Sequence, residues 1–420
     1  MTILTNAKLI DPAAGTETLG AIRIEDGLIA EILPEGTEGI DCGGKCLAPG
    51  IIDIGVKIGE PGERHKESFR TAGHSAAAGG VTTMVTRPDT TPAIDSPELL
   101  DYFNRRAADL VKVNVLPMAA LTKGRNGQEM TEIGFLTDVG AVAFTDGDRP
   151  LENPKTLQRA LTYAADLGAL VMAHPQEPTL SKGACATSGP LASLMGLPAV
   201  SPMAERIQLE RDMALVEMTG ARYHADQITT AAALPALERA KKAGLRVTAG
   251  VSAHHLTLNQ FDIEGYRTFF KLKPPLRAED DRLAVVEAVK SGLIDIMCSM
   301  HTPQDEESKR LPFEEAASGA VGLETLLPAA MQLVHAGHLT LPELFRALSL
   351  NPAKLLGLAS GRLEVGAPAD LILFDPNKPF VLQRANLRSK SKNTPYDLRR
   401  MEGVVLRTFV AGRQVFSLDD

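Results

Sequence analysis

The chain has 420 residues, 44% hydrophobic and 23% charged, enough to bury a large core in one large domain and a smaller one. A formal net charge of −8 argues against a general nucleic-acid binder, and the lack of Trp, with only 4% aromatics, argues against a base-stacking surface. There is no run of about 18 apolar residues, so no membrane span is expected.

The N-terminal MTILTNAKLIDPAAG alternates and carries polar residues, unlike a secretory signal. Cys42, Cys46, Cys185 and Cys298 are scattered, which fits reduced thiols and a cytoplasmic location. Cys42 and Cys46 have a Cys-x3-Cys spacing, but no second Cys or His pair lies near them to complete a zinc site.

Residues 2–50 read as short strands at 3–9, 21–24 and 29–32, with Asp26-Gly27 as a hairpin signal between the last two. From Ile51 the rhythm changes. Short apolar runs at 51–56, 81–86, 111–116, 141–144, 169–172, 221–225, 246–251 and 294–298 alternate with amphipathic stretches. Those stretches include 97–110, 154–167, 203–218, 231–243 and 280–290, and Gly168, Gly220 and Gly244 follow as closing glycines.

Eight strand–helix units over this length predict a closed parallel (β/α)8 barrel. An open doubly wound sheet is the alternative, but no G-x-G-x-x-G follows a strand. AGHSAAAGG at 72–80 precedes a strand and reads as close helix–barrel packing, not as a phosphate cradle. After Leu358 strands return at 370–374 and 404–416, with Ala411-Gly412 as a turn. The polar, basic piece NLRSKSKNTPY at 386–396 reads as a surface loop. The two strand-rich ends predict one composite β-sandwich domain from 1–50 and 361–420, flanking a barrel domain at 51–360.

Several longer stretches carry a resemblance. They are APGIIDIGVKIGEPGERHKES (48–68), AAAGGVTTMVTRPDTTP (76–92), GAVAFTDGDRPL (140–151), VMAHPQEPTL (171–180), AHHLTLN (253–259), KPPLRAEDDR (273–282), FEEAASGAVGLETLLP (313–328) and SKSKNTPYD (389–397). With them the chain resembles, over nearly its whole length, the dihydroorotases of the amidohydrolase superfamily, in the class found beside aspartate transcarbamoylase. The resemblance implies the barrel-plus-sandwich architecture and a role in pyrimidine biosynthesis. It also implies a site at the C-terminal ends of the barrel strands, where one or two zinc ions activate water to open a cyclic amide.

The residues that such a site would need are mostly replaced. The family's Asp-x-His-x-His on strand one reads Asp53, Gly55 and Lys57 here; glycine has no ligand atom and a protonated lysine has no acceptor lone pair. The strand-four carboxylate position falls at Gly147, flanked by Asp146 and Asp148. His174 is retained on strand five, whereas the strand-six histidine position holds Gln227, with His224 three residues earlier. The strand-eight pattern Asp-His-Ala-Pro-His reads Met300-His301-Thr302-Pro303-Gln304, which loses the proton-shuttling aspartate. The three positions for the substrate carboxylate hold Gly59, Asp89 and Gln304, and an aspartate there repels an anion.

These replacements predict no catalytic residues and no bound metal, since His174 alone is retained. No cofactor is expected, apart from zinc if the chain is an altered cyclic-amide hydrolase built on His174, Asp146, Asp148, Lys57 and His301. Lys57 stands where the cation would be. Either it pairs with Asp146, Asp148 or Asp89, or it reaches solvent through the barrel mouth.

The remaining residues have structural readings. His254, His255 and His301 are expected to bond locally, Met297 and Met300 to pack, and DEESKR at 305–310 to form a solvated loop. The basic 388–392 segment reads as a solvated loop, with a partner contact as the alternative. The implied partners are aspartate transcarbamoylase and a second copy of the chain in a homodimer, with no nucleic acid and no membrane.

Overall fold

The computed structural model describes residues 1–419. Eight parallel strands circle a barrel. In order they are Ile51–Val56, Val81–Thr86, Asn114–Pro117, a short stretch around Phe144, Leu170–Ala173, Arg222–Ala225, Val247–Ser252 and Ile296–Cys298. They are called barrel strands one to eight below.

Most of the sequence-predicted strands differ from the observed ones by only a few residues. Strand three starts later than its apolar run because Val111 closes the helix Pro97–Leu110, its N–H bonding the Ala107 carbonyl. Strand four is the shortest. Its N–H groups at Val142 and Phe144 reach Pro117 and Leu170, so it still joins strand three to strand five.

The inward-facing positions form an apolar interior of Ile52, Ile54, Val85, Met118, Ala143, Leu170, Met172 and Ile296, in keeping with strand alternation. The outward-facing ones meet the helices in the main core. AGHSAAAGG lies mostly within the helix Phe69–Ala78. A Cβ at Gly79 would come within 2.0 Å of the Leu323 carbonyl oxygen, so these small residues do serve close packing.

Closure of the ring rests on a buried carboxylate. Asp53 on strand one is fully buried; it accepts the Ser299 backbone N–H at 2.7 Å and also the Ser299 hydroxyl. The Lys57 N–H adds a bond to the His301 carbonyl at 2.9 Å. Burial pushes the Asp53 pKa up to about 6, against the Ser299 hydrogen bonds and nearby His301, which lower it.

A second buried carboxylate, Glu205 on the helix Met203–Thr219, ties three strand ends together. It accepts the Thr229 and Thr230 N–H groups at 2.8 and 2.9 Å, the Gln176 amide at 3.1 Å, and pairs with buried Arg277 at 3.4 Å.

The two termini build one eight-stranded sheet. Cys46–Pro49 is its junction, parallel to Thr2–Asp11 and antiparallel to Leu371–Val381. Side chains from both ends, such as Leu4, Ile22, Leu47, Leu371 and Phe409, meet in one cluster, so the sheet curls over its own core. Asp26-Gly27 makes the predicted hairpin with both φ angles positive.

Two surface-loop expectations are corrected. Residues 305–310 are not a free solvated loop. They contain the turn Glu306–Lys309, and Lys309 is buried, its ammonium donating to the Thr268 and Ala317 carbonyls at 3.0 and 2.6 Å. Burial and the neighbouring Lys271 push its pKa down to about 7.

The 386–396 segment is likewise a strap rather than a loose loop. Its Ser389 hydroxyl and Lys390 N–H bond Glu67, and its Asn393 amide bonds the carbonyls of Thr302 and Gly319. The polar stretch NLRSKSKN looked solvated because its buried partners, the Glu67 carboxylate and the Thr302 and Gly319 carbonyls, lie far away in the chain.

Two outcomes follow. Asp53 binds a proton more tightly folded than unfolded, so its contribution is present at low pH and is lost as pH rises through about 6. The Asp53→Asn variant should therefore gain stability relative to wild type as pH is raised from 4 to 7, by about 3 kcal/mol at most, in melting curves taken at each pH. Glu205→Ala leaves Arg277 buried without its partner, and should cost about 3–5 kcal/mol in denaturant unfolding.

Candidate functional site at the barrel mouth

The C-terminal ends of the strands surround a polar cavity of about 240 Å3, lined among others by Lys57, Arg87, Gln227, Met300 and Gln304. Its floor is set by a fit between strands one and eight. Gly55 has φ 93° and Met300 has φ 46°, both in the left-handed region. A Cβ at Gly55 would come within 2.9 Å of the Met300 sulfur. The thioether therefore covers the space that a side chain at position 55 would need.

Lys57 enters the cavity wall as an ion pair. Its ammonium lies 2.8 Å from Glu63 and 3.7 Å from Asp89. Of the expected carboxylate partners only Asp89 is near, and it is the weaker one. Asp146 and Asp148 do not pair with Lys57. Glu63, six residues on, was missed, although the Glu-Pro-Gly turn between them is the signal that the chain doubles back there.

Asp146 faces away from the cavity. It caps the Thr122 turn, accepting its N–H at 2.9 Å and its hydroxyl at 2.6 Å. Asp148 does line the cavity, bonded to Arg125 at 2.7 Å and Lys273 at 3.4 Å. Burial raises its pKa, but Lys273, Arg87 and Arg125 outweigh this and hold the carboxyl well below the usual range.

Gly147 adopts φ 64° with the Arg125 guanidinium 3.3 Å from any Cβ there, so a side chain at that position is strained. Gly59 is tighter still. A Cβ would come within 2.3 Å of the Glu63 carbonyl oxygen, so this turn has no room for an arginine.

His174 is buried and its Nε2 has no partner. Burial, with Lys273 nearby, pushes its pKa down to about 3, leaving it neutral. Gln227 is held by neighbours, its amide donating to Asp226 and Cys298 and its oxygen accepting the Ser252 N–H at 3.0 Å. His224 lies deeper in the barrel, bonded to Thr248 at 2.8 Å and close against Gly250.

His301 is locked. Its Nδ1 accepts the Gly322 N–H at 3.1 Å, so the proton sits on Nε2, which faces the Glu67 carboxylate at 3.4 Å. His255 is also satisfied, by Ser252 and the Pro274 carbonyl.

Asp89 is not an isolated repulsive charge. Buried Arg87 lies 3.2 Å away and also donates to Thr302. Arg87, Arg125 and Lys273 were not singled out from sequence. Two of them sit inside recognisable stretches, VTRPD and KPPLR, but nothing in the sequence shows that they converge.

Comparisons with known proteins give the family and the fold. The sequence model described as dihydro-orotase-like matches residues 44–233, and one described as amidohydrolase family matches 323–416. A dihydroorotase of Wolbachia from Drosophila simulans is 39% identical, covering 98% of this chain and 95% of the relative. One from Syntrophus aciditrophicus is 36% identical over 99% of both. The chain belongs to the dihydroorotase family.

The L-hydantoinase of Arthrobacter aurescens superposes with a TM-score of 0.90 over 99% of this chain and 96% of the other, at 25% identity. A D-hydantoinase from Thermus sp. reaches 0.84 at 23% identity, over 99% of this chain and 95% of that one, a likeness of fold. The family hydrolyses cyclic amides, and the barrel-plus-sandwich architecture is shared.

The zinc that the family implies does not fit these side chains. Of the ligand positions, only His174 offers a suitable donor. Met300 sulfur covers Gly55, the Lys57 ammonium is turned to Glu63, and Gln227 is tied up. Among the described residues, no group of three or more His, Cys, Asp or Glu converges as zinc requires.

Gly55→Ala should destabilise the chain by about 1–3 kcal/mol through the Met300 contact and the positive φ. Adding Met300→Ala should recover the contact share but not the φ share. A double-mutant cycle in denaturant reads the coupling.

Proposed function

We propose that this chain is a cytoplasmic, homodimeric, non-catalytic and metal-free dihydroorotase-like subunit of de novo pyrimidine biosynthesis that supports the assembly of aspartate transcarbamoylase. The observation that supports the first half is the Met300 sulfur over Gly55 beside the Lys57–Glu63 pair, at positions where the family resemblance implies metal ligands. The barrel core is apolar and close-packed, and the mouth carries its own ion pairs. Retention of the body without the chemistry is what a protein selected for its shape requires. The transcarbamoylase is named as partner from the family resemblance.

The alternative, an altered cyclic-amide hydrolase, draws on His174, Asp146, Asp148, Lys57 and His301, of which Lys57 and Asp148 line the cavity. Asp146 is turned to Thr122 and His301 to Glu67, which disfavours it.

Protein purified without added zinc should hold far less than one zinc per chain and should not turn over dihydroorotate. Stoichiometric zinc with turnover would overturn the reading. Co-expressed with aspartate transcarbamoylase, the chain should co-purify in a defined complex. A transcarbamoylase that assembles fully and is equally active without it would remove the scaffold role.

A further inference from the structure

The opposite end of the barrel holds another cavity, of about 450 Å3, within the roughly 300–1,000 Å3 of small-molecule sites. It opens where Leu170, Arg222 and Val247 begin strands five, six and seven and Asp295 leads into strand eight. The N-terminal face of such a barrel serves stability rather than chemistry, so a ligand there is held and not converted.

The rim is basic. Arg222, Arg246 and Lys354 line the cavity, and among the described residues no carboxylate pairs with any of them. The one acid on the rim, Asp295, is taken up by the Lys241 ammonium at 2.7 Å and the Ala249 N–H at 2.8 Å. Three positive charges therefore surround the cavity without a counter-charge, in a chain that is negative overall. Such a one-signed cleft concentrates anions.

Backbone carbonyls hold the two arginines in place. Arg222 donates to the carbonyls of Gly168 and Leu355 at 3.0 and 2.6 Å, and Arg246 donates through Nε and Nη2 to the Gly220 carbonyl. Gly168 and Gly220 follow the ends of two helices, so capping of helix ends accounts for the guanidinium groups standing there. It uses two of the five N–H donors on each arginine and leaves three. Capping does not account for Lys354, or for three cations meeting at one cavity without an acid. Further in, the Thr248 hydroxyl lies 2.8 Å from Nδ1 of buried His224. Burial, with Lys241 nearby, pushes the His224 pKa down to about 3, so the ring is neutral. With its proton on Nδ1 it donates to Thr248 and frees the hydroxyl proton for a ligand oxygen.

We propose that this cavity binds a phosphate group, free or as the monoester of a small metabolite, held by Arg222, Arg246 and Lys354 with the Thr248 hydroxyl beneath it. Guanidinium forks match phosphate oxygens, and Leu170, Val247 and Leu355 offer an apolar wall to the organic part of an ester. The inference goes beyond the scaffold reading and is independent of whether the mouth is catalytic. A ligand that prefers the folded chain stabilises it by mass action.

The test is calorimetric titration of the full chain, at matched ionic strength, with inorganic phosphate, ribose 5-phosphate and AMP. Chloride, ribose and adenosine are their phosphate-free counterparts. At least one phosphate compound should bind, and its counterpart should bind at least tenfold more weakly. Inorganic phosphate binding as tightly as the esters assigns free phosphate as the ligand, and tighter binding of an ester assigns a metabolite. Lys354 is exposed, so Lys354→Gln should keep the ligand-free melting temperature and weaken binding about tenfold. Lys273→Met, at the mouth, should leave the affinity unchanged. No binding of any phosphate compound, or equal binding of the counterparts, would overturn the proposal. So would an affinity that Lys354→Gln leaves unchanged or that Lys273→Met lowers as much.

Discussion

A parallel barrel exists only if its last strand returns to its first, and here that join is made by one buried carboxylate. Asp53 holds the Ser299 backbone and hydroxyl at the point where strand eight meets strand one. The join fixes the register of 299–304 against 53–59, and that register brings Met300 over Gly55 and the Lys57 N–H to the His301 carbonyl. The rest of the mouth is built on this alignment. His301 is turned to Glu67, Glu67 holds the C-terminal strap, and the strap's Asn393 bonds back to Thr302 and Gly319.

The replaced positions behave as a set. A glycine on strand one and a methionine on strand eight are each a loss when read alone. Together they are a packing pair, large against small, with nothing left over. Lys57 is similar: its charge would be costly in a buried wall, and Glu63 and Asp89 are placed to offset it. The same holds for Asp89 beside Arg87 and Asp148 beside Arg125. The charged side chains at the mouth are thus paired with one another, and the electrostatics of the cleft are organised.

The architecture was legible because strand alternation and helix periodicity are local, and eight repeats of them admit few folds. Strand one and strand two were read to the residue because apolar β-branched runs begin and end sharply at 51–56 and 81–86. The strap at 386–396 and the turn at 305–310 were misread for the opposite reason. Polar residues buried against distant backbone look like polar residues in water. Lys309 is the clearest case, a buried ammonium whose acceptors are two carbonyls from separate loops.

By itself the sequence determined the fold class and the family, and it fixes which side chain stands at each strand end, because residue identity alone decides whether a metal donor exists there. Glycine at 55 and methionine at 300 cannot bind zinc as histidine and aspartate would, wherever they point. Only the tertiary structure decided how those side chains are partnered. Whether Lys57 meets Glu63 or Asp148, whether Asp146 turns in or out, and which way His301 faces depend on backbone direction and on partners up to hundreds of residues away. Those contacts exist only after the ring has closed.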